Sequence, residues 1–191
     1  DTPKICNHLH IPLQSGSENV LKRMNRKYNK DYFYNKIAEI RKIHSDISIT
    51  TDCIVGHPYE TEDDFLEYLD FCKKIKFSKI HVFPYSVRVG TASAAMPQVN
   101  PNIKKDRAKK LLNLSNELEQ EYNKRFIGET LEIITEERVG DYIIGHTSNY
   151  LKVYIKGDYK INNTYLVKID KELNNNLYGT IISCSNNKII I

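Results

Sequence analysis

The chain has 191 residues, of which 40% are hydrophobic and 27% charged, and its net charge is +4. These values are ordinary for a soluble globular protein with one large domain or two small ones. The sequence contains no run of about 18 apolar residues, which excludes a membrane-spanning helix. Its four cysteines form no C-x-x-C or C-x-x-x-C pair, and such scattered thiols are typical of a cytoplasmic protein.

The first residues, Asp-Thr-Pro, include neither an initiator Met nor a signal-peptide pattern. We therefore expect a fragment that lacks its natural N-terminus. The basic excess lies in residues 1–125, which carry a net charge of +5, whereas residues 126–191 carry −1. Any electrostatic attraction for nucleic acid is expected mainly in the first part.

Residues 1–85 alternate short apolar strands with amphipathic helices. Strands are predicted at 5–13, 47–55 and 80–85, and helices at 18–26, 30–44 and 61–76. In the second helix, the inward stripe comprises Phe33, Ile37, Ile40 and Ile43. This alternation predicts βαβ units and a parallel sheet. Three strands cannot close a barrel, so we expect an α/β fold that is the later half of a (βα) barrel or of an open sheet.

A Pro-bearing connector, residues 90–101, leads to a long helix predicted at 104–125. Its inward stripe comprises Ala108, Leu111, Leu112, Ser115, Leu118 and Tyr122. Its N-terminal half is basic, with Lys104, Lys105, Arg107, Lys109 and Lys110. These cations are either a solvated face or a phosphate-facing patch.

After Phe126 the pattern changes to short alternating runs separated by Gly, Asn and Asp. The runs are 130–135, 142–146, 150–155, 164–169 and 178–183, and their spacing predicts a small antiparallel barrel or sandwich. Turns are predicted at Asn162-Asn163, Asn174 to Asn176 and Asn186-Asn187, because Asn tolerates left-handed backbone. We place the domain boundary near Arg125, giving domains 1–125 and 126–191.

Cys6, His8 and His10 alternate along the first predicted strand and therefore share one face. One reading is a zinc site, although a single straight strand cannot supply four tetrahedral ligands. The other reading is a barrel interior in which His10 lines a polar pocket. Gln14 and Ser15 follow at the strand's end, the rim on which α/β proteins bind ligands.

Residues 52–65 read D-C-I-V-G-H-P-Y-E-T-E-D-D-F. Thr61 and Asp64 fit a helix capping box, and the acidic helix start would repel a phosphate. Gly56 has no side chain, so a flat neutral ligand could lie against its backbone. The segment therefore predicts helix capping at its end and a ligand contact from Asp52 to Gly56.

In the last third, residues 150–156 alternate strictly. Leu151, Val153 and Ile155 are predicted to point inward, and Tyr150, Lys152, Tyr154 and Lys156 to point outward. Exposed tyrosines interleaved with lysines suit base stacking and phosphate contact in RNA. The alternative is an ordinary amphipathic exterior.

Three motifs carry a family resemblance. They are H-L-H-I-P-L-Q-S-G-S with V-L-K-R-M-N-R-K-Y (8–28), T-T-D-C-I-V-G-H-P-Y-E-T-E-D-D-F (50–65) and F-S-K-I-H-V-F-P-Y-S-V-R-V-G-T-A-S-A-A-M-P (77–97). In this order they resemble the radical S-adenosylmethionine methylthiotransferases, the MiaB, RimO and MtaB group. Residues 126 to about 182 resemble that family's TRAM domain, a small OB-like RNA-binding barrel.

F-S-K-I-H-V-F-P-Y-S resembles the MtaB branch most. That branch implies methylthiolation of N6-threonylcarbamoyladenosine at C2, beside the tRNA anticodon, so the implied partner is the anticodon stem-loop. The MiaB branch, which acts on isopentenyladenosine, stays an alternative. The resemblance also implies a missing N-terminal domain and a missing first half of the barrel.

The resemblance implies S-adenosylmethionine and two four-iron–four-sulfur clusters as cofactors. Neither set of cluster cysteines occurs in this chain, so we assign no metal ligand or catalytic residue and expect the chain alone to be inactive. The implied cofactor contacts are Gln14, Ser15, Asp52, Ile54, Val55, Gly56, Phe83 and Tyr85. The implied substrate or RNA contacts are His10, Arg88, Tyr150, Lys152, Tyr154 and Lys156.

Two positions depart from the family pattern G-F-P-G-E: here His57 and Tyr59 replace Phe and Gly. Loss of the turn glycine strains the loop unless Tyr59 adopts a negative φ. Two other function classes remain open. One is a stand-alone RNA-binding remnant, and the other is a small-molecule barrel enzyme.

Overall fold

The computed structural model describes residues 5–184. The strands are β1 (His8–His10), β2 (Ser48–Val55), β3 (Lys79–Pro84), β4 (Thr130–Val139), β5 (Tyr142–Thr147), β6 (Lys152–Lys156), β7 (Thr164–Leu173) and β8 (Asn176–Cys184). The helices are α1 (Glu18–Arg23), α2 (Lys30–Ile43), α3 (Glu62–Ile75) and α4 (Pro101–Lys124), with a 3₁₀ turn at Ala92–Ala95. Within the described range, none of these helices has the length and apolarity needed to cross a membrane.

Contacts divide the chain into two compact units. The α/β unit comprises residues 9–45 and 49–118, and the sheet unit comprises residues 5–8, 46–48 and 119–184 of the described range. The division falls within α4, and the domain boundary near Arg125 stays a prediction.

The α/β unit contains a parallel sheet with strand order β1-β2-β3. β2 and β3 run parallel in a register that begins with Thr50 opposite Lys79 and ends with Val55 opposite Pro84. The alternation of strands and helices therefore predicted the mixed α/β class and the parallel sheet correctly. β2 is buried along almost its whole length, as expected of a parallel strand covered on both faces.

The helices of this unit pack with the predicted faces, except at two positions. Phe33 and Ile37 of α2 are buried, but Ile43 is 76% exposed because the helix ends there and the backbone becomes extended at His44. In α4, Leu112 is 49% exposed and Leu114 is buried in its place. Leu112 was predicted in the stripe because it is apolar. The buried residues instead follow the i, i+3, i+4 spacing of Leu111, Leu114 and Ser115.

The sheet unit contains five strands in the order β4-β5-β6-β8-β7, and this sheet closes on itself because β7 also pairs with β4. Four of its pairings are antiparallel, but β6 and β8 run parallel. The predicted antiparallel arrangement is therefore confirmed at four of the five pairings and is wrong for the β6–β8 pair. A ring of five strands cannot alternate direction all the way round, so at least one neighbouring pair must be parallel.

The interior of the closed sheet is apolar. Its buried residues include Tyr122, Phe126, Ile133, Leu151, Val153, Ile155, Val167, Ile169 and Leu177. Leu151, Val153 and Ile155 point inward as predicted. Asn162, Asn174 and Asn175 adopt positive φ in turns, as predicted, whereas Asn186 and Asn187 lie outside the described residues.

Candidate functional site

A cavity of about 440 Å³ lies at the C-terminal ends of the parallel strands, a volume typical of small-molecule sites. It is lined by Gln14, Asp52, Ile54, Phe83, Pro84, Tyr85, Ser86, Arg88, Thr91 and Ser93. Six of the predicted site residues are among them: Gln14, Asp52, Ile54, Phe83, Tyr85 and Arg88. The carboxyl ends of parallel strands meet at one edge of a sheet, which explains why residues far apart in sequence converge here.

The alternation of side chains along each strand determines which of them point into the cavity. Asp52 and Ile54 are two residues apart on β2 and share a face, and Phe83 lies directly opposite Ile54 on β3. The Phe83 side chain is 50% exposed, so it offers an apolar surface to a ligand. Gln14 is held beside β2 by two backbone hydrogen bonds, from its N–H to the Asp52 carbonyl (2.9 Å) and from the Ile54 N–H to its own carbonyl (2.8 Å).

His10 does not line the cavity but is connected to it through Asp52. Its Nε2 lies 3.3 Å from Asp52 Oδ2, and its Nδ1 lies 3.0 Å from the Thr50 hydroxyl oxygen. The ring of His81, opposite Asp52 on β3, lies 5.8 Å from the His10 ring. These residues form a polar row across all three strands that ends at the cavity wall.

Ser15, Val55 and Gly56 were also predicted to contact a ligand, but they do not line the cavity. Ser15 and Val55 are completely buried. Gly56 has φ +73°, and a Cβ there would come within 2.5 Å of Lys104 Cγ. The space left by the missing side chain is thus occupied by Lys104 of the same chain and is not open to a planar ligand. The contribution of these residues to ligand binding stays a prediction.

Lys104 connects the Gly56 turn to the cavity. Its Nζ donates to the Tyr85 carbonyl oxygen over 3.3 Å and lies 5.2 Å from the centre of the Tyr85 ring. The Tyr85 ring also packs edge-on against the His57 ring, with 5.3 Å between the ring centres. Burial lowers the pKa of His57, which favours the neutral imidazole in this aromatic contact.

Tyr59 adopts a left-handed backbone conformation, the region that favours Gly. Its φ is +61°, and its side chain is 53% exposed. The alternative of a negative φ is therefore not adopted, and the turn carries the strain that the sequence predicted. A non-glycine residue in this region costs about 1–2 kcal/mol.

We expect Tyr59→Gly to raise the free energy of unfolding by about 0.5–1 kcal/mol, because relief of strain exceeds the added freedom of the unfolded chain. Urea denaturation measures the change. Tyr59→Ala is the matched control, since it removes the ring and keeps the strained Cβ. Equal stabilisation by both variants would locate the effect in the ring and contradict the backbone argument.

The sequence did not predict the buried ion pair between Arg107 and Glu60. Arg107 was grouped with the basic, solvated or phosphate-facing half of α4, yet it is only 4% exposed. Its Nη1 donates to Glu60 Oε1 (2.8 Å) and to the Glu60 carbonyl (3.0 Å), and its Nη2 donates to Glu62 (3.1 Å). Burial raises the pKa of Glu60, partly offset by the Gly56 N–H and by Arg107. Arg107 is buried because it pairs with Glu60, which lies 47 residues away in the sequence. No local pattern around Arg107 indicates this partner.

Asp64 completes the predicted capping box with Thr61, whose hydroxyl accepts from the Asp64 N–H at 3.1 Å. The carboxylate also accepts from the Ser17 hydroxyl (2.8 Å), the Asn19 amide (3.2 Å) and the Arg23 guanidinium (3.2 Å). Burial alone would raise the pKa of Asp64, but the hydrogen bonds from Thr61, Ser17 and Asn19 outweigh it and hold the pKa at about 2. Capping therefore accounts for only part of its role, because Asp64 also joins α1 to α3.

The predicted RNA-binding residues divide into two groups. Lys152 and Lys156 are exposed and Tyr154 is half-exposed on the outer face of β6, as alternation predicts. Tyr150 lies before the strand, with φ +63°. Its ring stacks with His8 at 4.9 Å and with His146 at 4.8 Å. Tyr150 is therefore exposed as predicted, at 62%, but it precedes β6 and does not belong to that strand's outward row.

The described residues contain no set of ligands for an iron–sulfur cluster. Within residues 5–184, no three His, Cys, Asp or Glu side chains are arranged to hold a metal ion. All four cysteines are free thiols, with Cys53 and Cys72 buried and Cys6 and Cys184 exposed. These residues do not fit an iron–sulfur cluster.

Comparisons with a protein-family model and with known proteins indicate the same family. Residues 3–72 match the model of the radical SAM superfamily. The chain is 47% identical over 160 residues to a threonylcarbamoyladenosine tRNA methylthiotransferase, MtaB, of Bacillus subtilis, covering 81% of this chain and 36% of the relative.

Two other relatives are both named tRNA-2-methylthio-N(6)-dimethylallyladenosine synthase. The one from Acetivibrio thermocellus is 44% identical over 137 residues, covering 71% of this chain and 28% of the relative. The one from Thermodesulfovibrio yellowstonii is 38% identical over 185 residues, covering 96% of this chain and 43% of the relative. The chain thus spans less than half the length of each of these relatives.

Proposed function

Because the chain belongs to the radical SAM methylthiotransferase family, we propose that it is the C-terminal portion of an enzyme that methylthiolates an adenosine in tRNA. The observation that carries this proposal is the cavity at the ends of β2 and β3, where six residues implied by the resemblance converge. When bound, the family's S-adenosylmethionine and iron–sulfur cluster supply the radical. The chain's own residues contribute binding and orientation.

The cavity suits the adenosine part of S-adenosylmethionine. Ile54, Phe83 and Pro84 supply an apolar wall, and Asp52, Arg88 and the hydroxyls of Thr91 and Ser93 supply polar groups around it. In our proposal Gln14, Asp52, Ile54, Phe83 and Tyr85 contact the cofactor. Ser15, Val55 and Gly56 complete the proposed set of cofactor-binding residues, although none of the three lines the cavity.

The substrate side of the proposal rests on residues next to this cavity. Arg88 lines it, and His10 reaches it through Asp52. We assign both to the tRNA substrate. The cluster ligands would come from a preceding part of the protein.

For the modified nucleoside we propose N6-threonylcarbamoyladenosine, methylthiolated at C2 beside the anticodon. The Bacillus subtilis relative with this substrate in its name supports the choice. Relatives named for dimethylallyladenosine, at 44% identity and below, support the alternative. Residues 126–191, which include all strands of the closed sheet, are proposed to be a TRAM-like module that contacts the anticodon stem-loop through β6 and Tyr150.

A chimera tests the proposed activity. In the chimera, this chain replaces the matching segment of the Bacillus subtilis relative. The chimera would be expressed in cells lacking that relative, and their tRNA nucleosides would be analysed by mass spectrometry. We expect methylthiolated threonylcarbamoyladenosine to reappear. Asp52→Ala in the cavity should abolish it, whereas Asp63→Ala, on the exposed start of α3, should not. A folded, cluster-loaded chimera without product would contradict the proposal.

A further inference from the structure

Three tyrosines from adjacent strands cluster on the outer face of the closed sheet. Tyr142 of β5 lies 6.1 Å from Tyr154 of β6 and 5.8 Å from Tyr178 of β8, between ring centres. Tyr154 and Tyr178 are 5.4 Å apart and inclined by only 31°. All three side chains are half-buried, so each ring keeps part of its surface exposed to solvent.

Two lysines lie beside this cluster. Lys152 Nζ lies 5.4 Å from the centre of the Tyr154 ring, and Lys171 Nζ lies 5.6 Å from that of Tyr178. The strand register places Tyr154 opposite Tyr178, and Tyr178 opposite Lys171. With strands about 4.8 Å apart, the row from Tyr154 to Lys171 spans about 10 Å.

This arrangement has the chemistry of a surface for unpaired nucleotides. Bases stack on aromatic rings whatever their sequence, and lysines beside the rings neutralise the phosphates between them. A purely apolar partner would leave the two ammonium groups unused. A duplex hides the faces of its bases, so it could use the lysines but not the rings.

We propose that Tyr142, Tyr154, Tyr178, Lys152 and Lys171, together the tyrosine platform, bind unpaired RNA nucleotides by stacking. The inference rests on the proposed tRNA substrate and refines its contact with the sheet unit. The interaction surface crosses β5, β6, β8 and β7 instead of following β6 alone. Tyr150 lies outside the platform because its ring is stacked with His8 and His146.

Binding of the full 191-residue chain to a labelled oligouridine of about 12 nucleotides tests the platform by fluorescence anisotropy. We expect Tyr154→Leu/Tyr178→Leu, which keeps apolar bulk and removes the rings, to weaken binding at least about tenfold. Affinity for a duplex of the same length should change less than about threefold, because its bases are already stacked on one another.

A second variant tests the charges without altering the rings. Lys152→Gln/Lys171→Gln should lower the slope of log affinity against log salt by about 1.4, the value expected for two single-strand phosphate contacts. This variant keeps the test decisive if the tyrosine variant fails to fold. An unchanged slope would overturn the assignment of the lysines.

The α/β unit offers a matched control. Tyr32 lies under Lys36 at 5.7 Å and Tyr34 under Lys74 at 4.1 Å, so Tyr32→Leu/Tyr34→Leu removes two comparable lysine-covered rings. This variant should bind like the parent chain. Equal loss in both tyrosine variants, or none in the platform variant, would overturn the platform. The activity of the chimera is measured separately, so loss of the platform proposal would leave the proposed function untouched.

Discussion

Arg107→Met should destabilise the chain by about 3–5 kcal/mol, because it leaves a buried carboxylate without its counter-charge. The side chains of Arg107 and Glu60 are only 5% and 0% exposed, and their shortest N–O distance is 2.8 Å. The pair also holds the turn that carries Gly56, whose N–H donates to Glu60 Oε1 at 2.8 Å. The free energy of unfolding from urea denaturation at pH 7 measures the loss.

Two further variants make this result interpretable. Glu60→Gln/Arg107→Met should recover much of the loss, since the double variant buries no unpaired charge. Lys73→Met removes an exposed pair with Asp70, whose side chains are 60% and 80% exposed, and should change stability little. A loss below about 1 kcal/mol for Arg107→Met would show that the buried pair does not hold the turn.

Asp64→Asn should cost about 2 kcal/mol near pH 7, because the folded carboxyl pKa of about 2 lies below its usual 3.8. Since the folded pKa is depressed, this stabilisation is fully present above about pH 4 and is lost as the pH falls towards 2. The variant should therefore show a flatter decline in stability across that window. Urea denaturation at a series of pH values measures both effects.

Asp63→Asn is the matched control for this change. Asp63 lies in the same first turn of α3 and is exposed, so its contribution should be limited to a few tenths of a kcal/mol from the helix dipole. If Asp64→Asn kept the full acid-dependent decline between pH 4 and 2, the decline would come from other groups, and the depressed pKa of Asp64 would be contradicted.

Local patterns predicted those features that depend on local structure. Alternating strands and helices indicated the parallel sheet, and Thr61 with Asp64 indicated the capping box. Local patterns also indicated Gln14, at a strand end, and the segment from Asp52 to Gly56, whereas Phe83, Tyr85 and Arg88 came only from the family resemblance. The cavity that several of these residues line lies where parallel strands end, as the fold class requires.

Features that depend on distant partners could not be predicted in this way. The burial of Arg107 is decided by Glu60, and the space above Gly56 is filled by Lys104, both through contacts between remote segments. The tyrosine platform joins residues 142, 154 and 178, which only the strand order brings together. Tyr150 follows the alternating pattern in sequence, but its left-handed backbone removes it from the row.

The nucleoside content of tRNA from cells carrying the chimera tests the central claim most directly. We predict that the threonylcarbamoyladenosine peak is converted to its methylthio derivative and that the dimethylallyladenosine peak is unchanged. Conversion of dimethylallyladenosine alone would contradict the proposed substrate. Conversion of neither, with the chimera folded and its clusters loaded, would contradict the assignment of this chain to a tRNA methylthiotransferase active site.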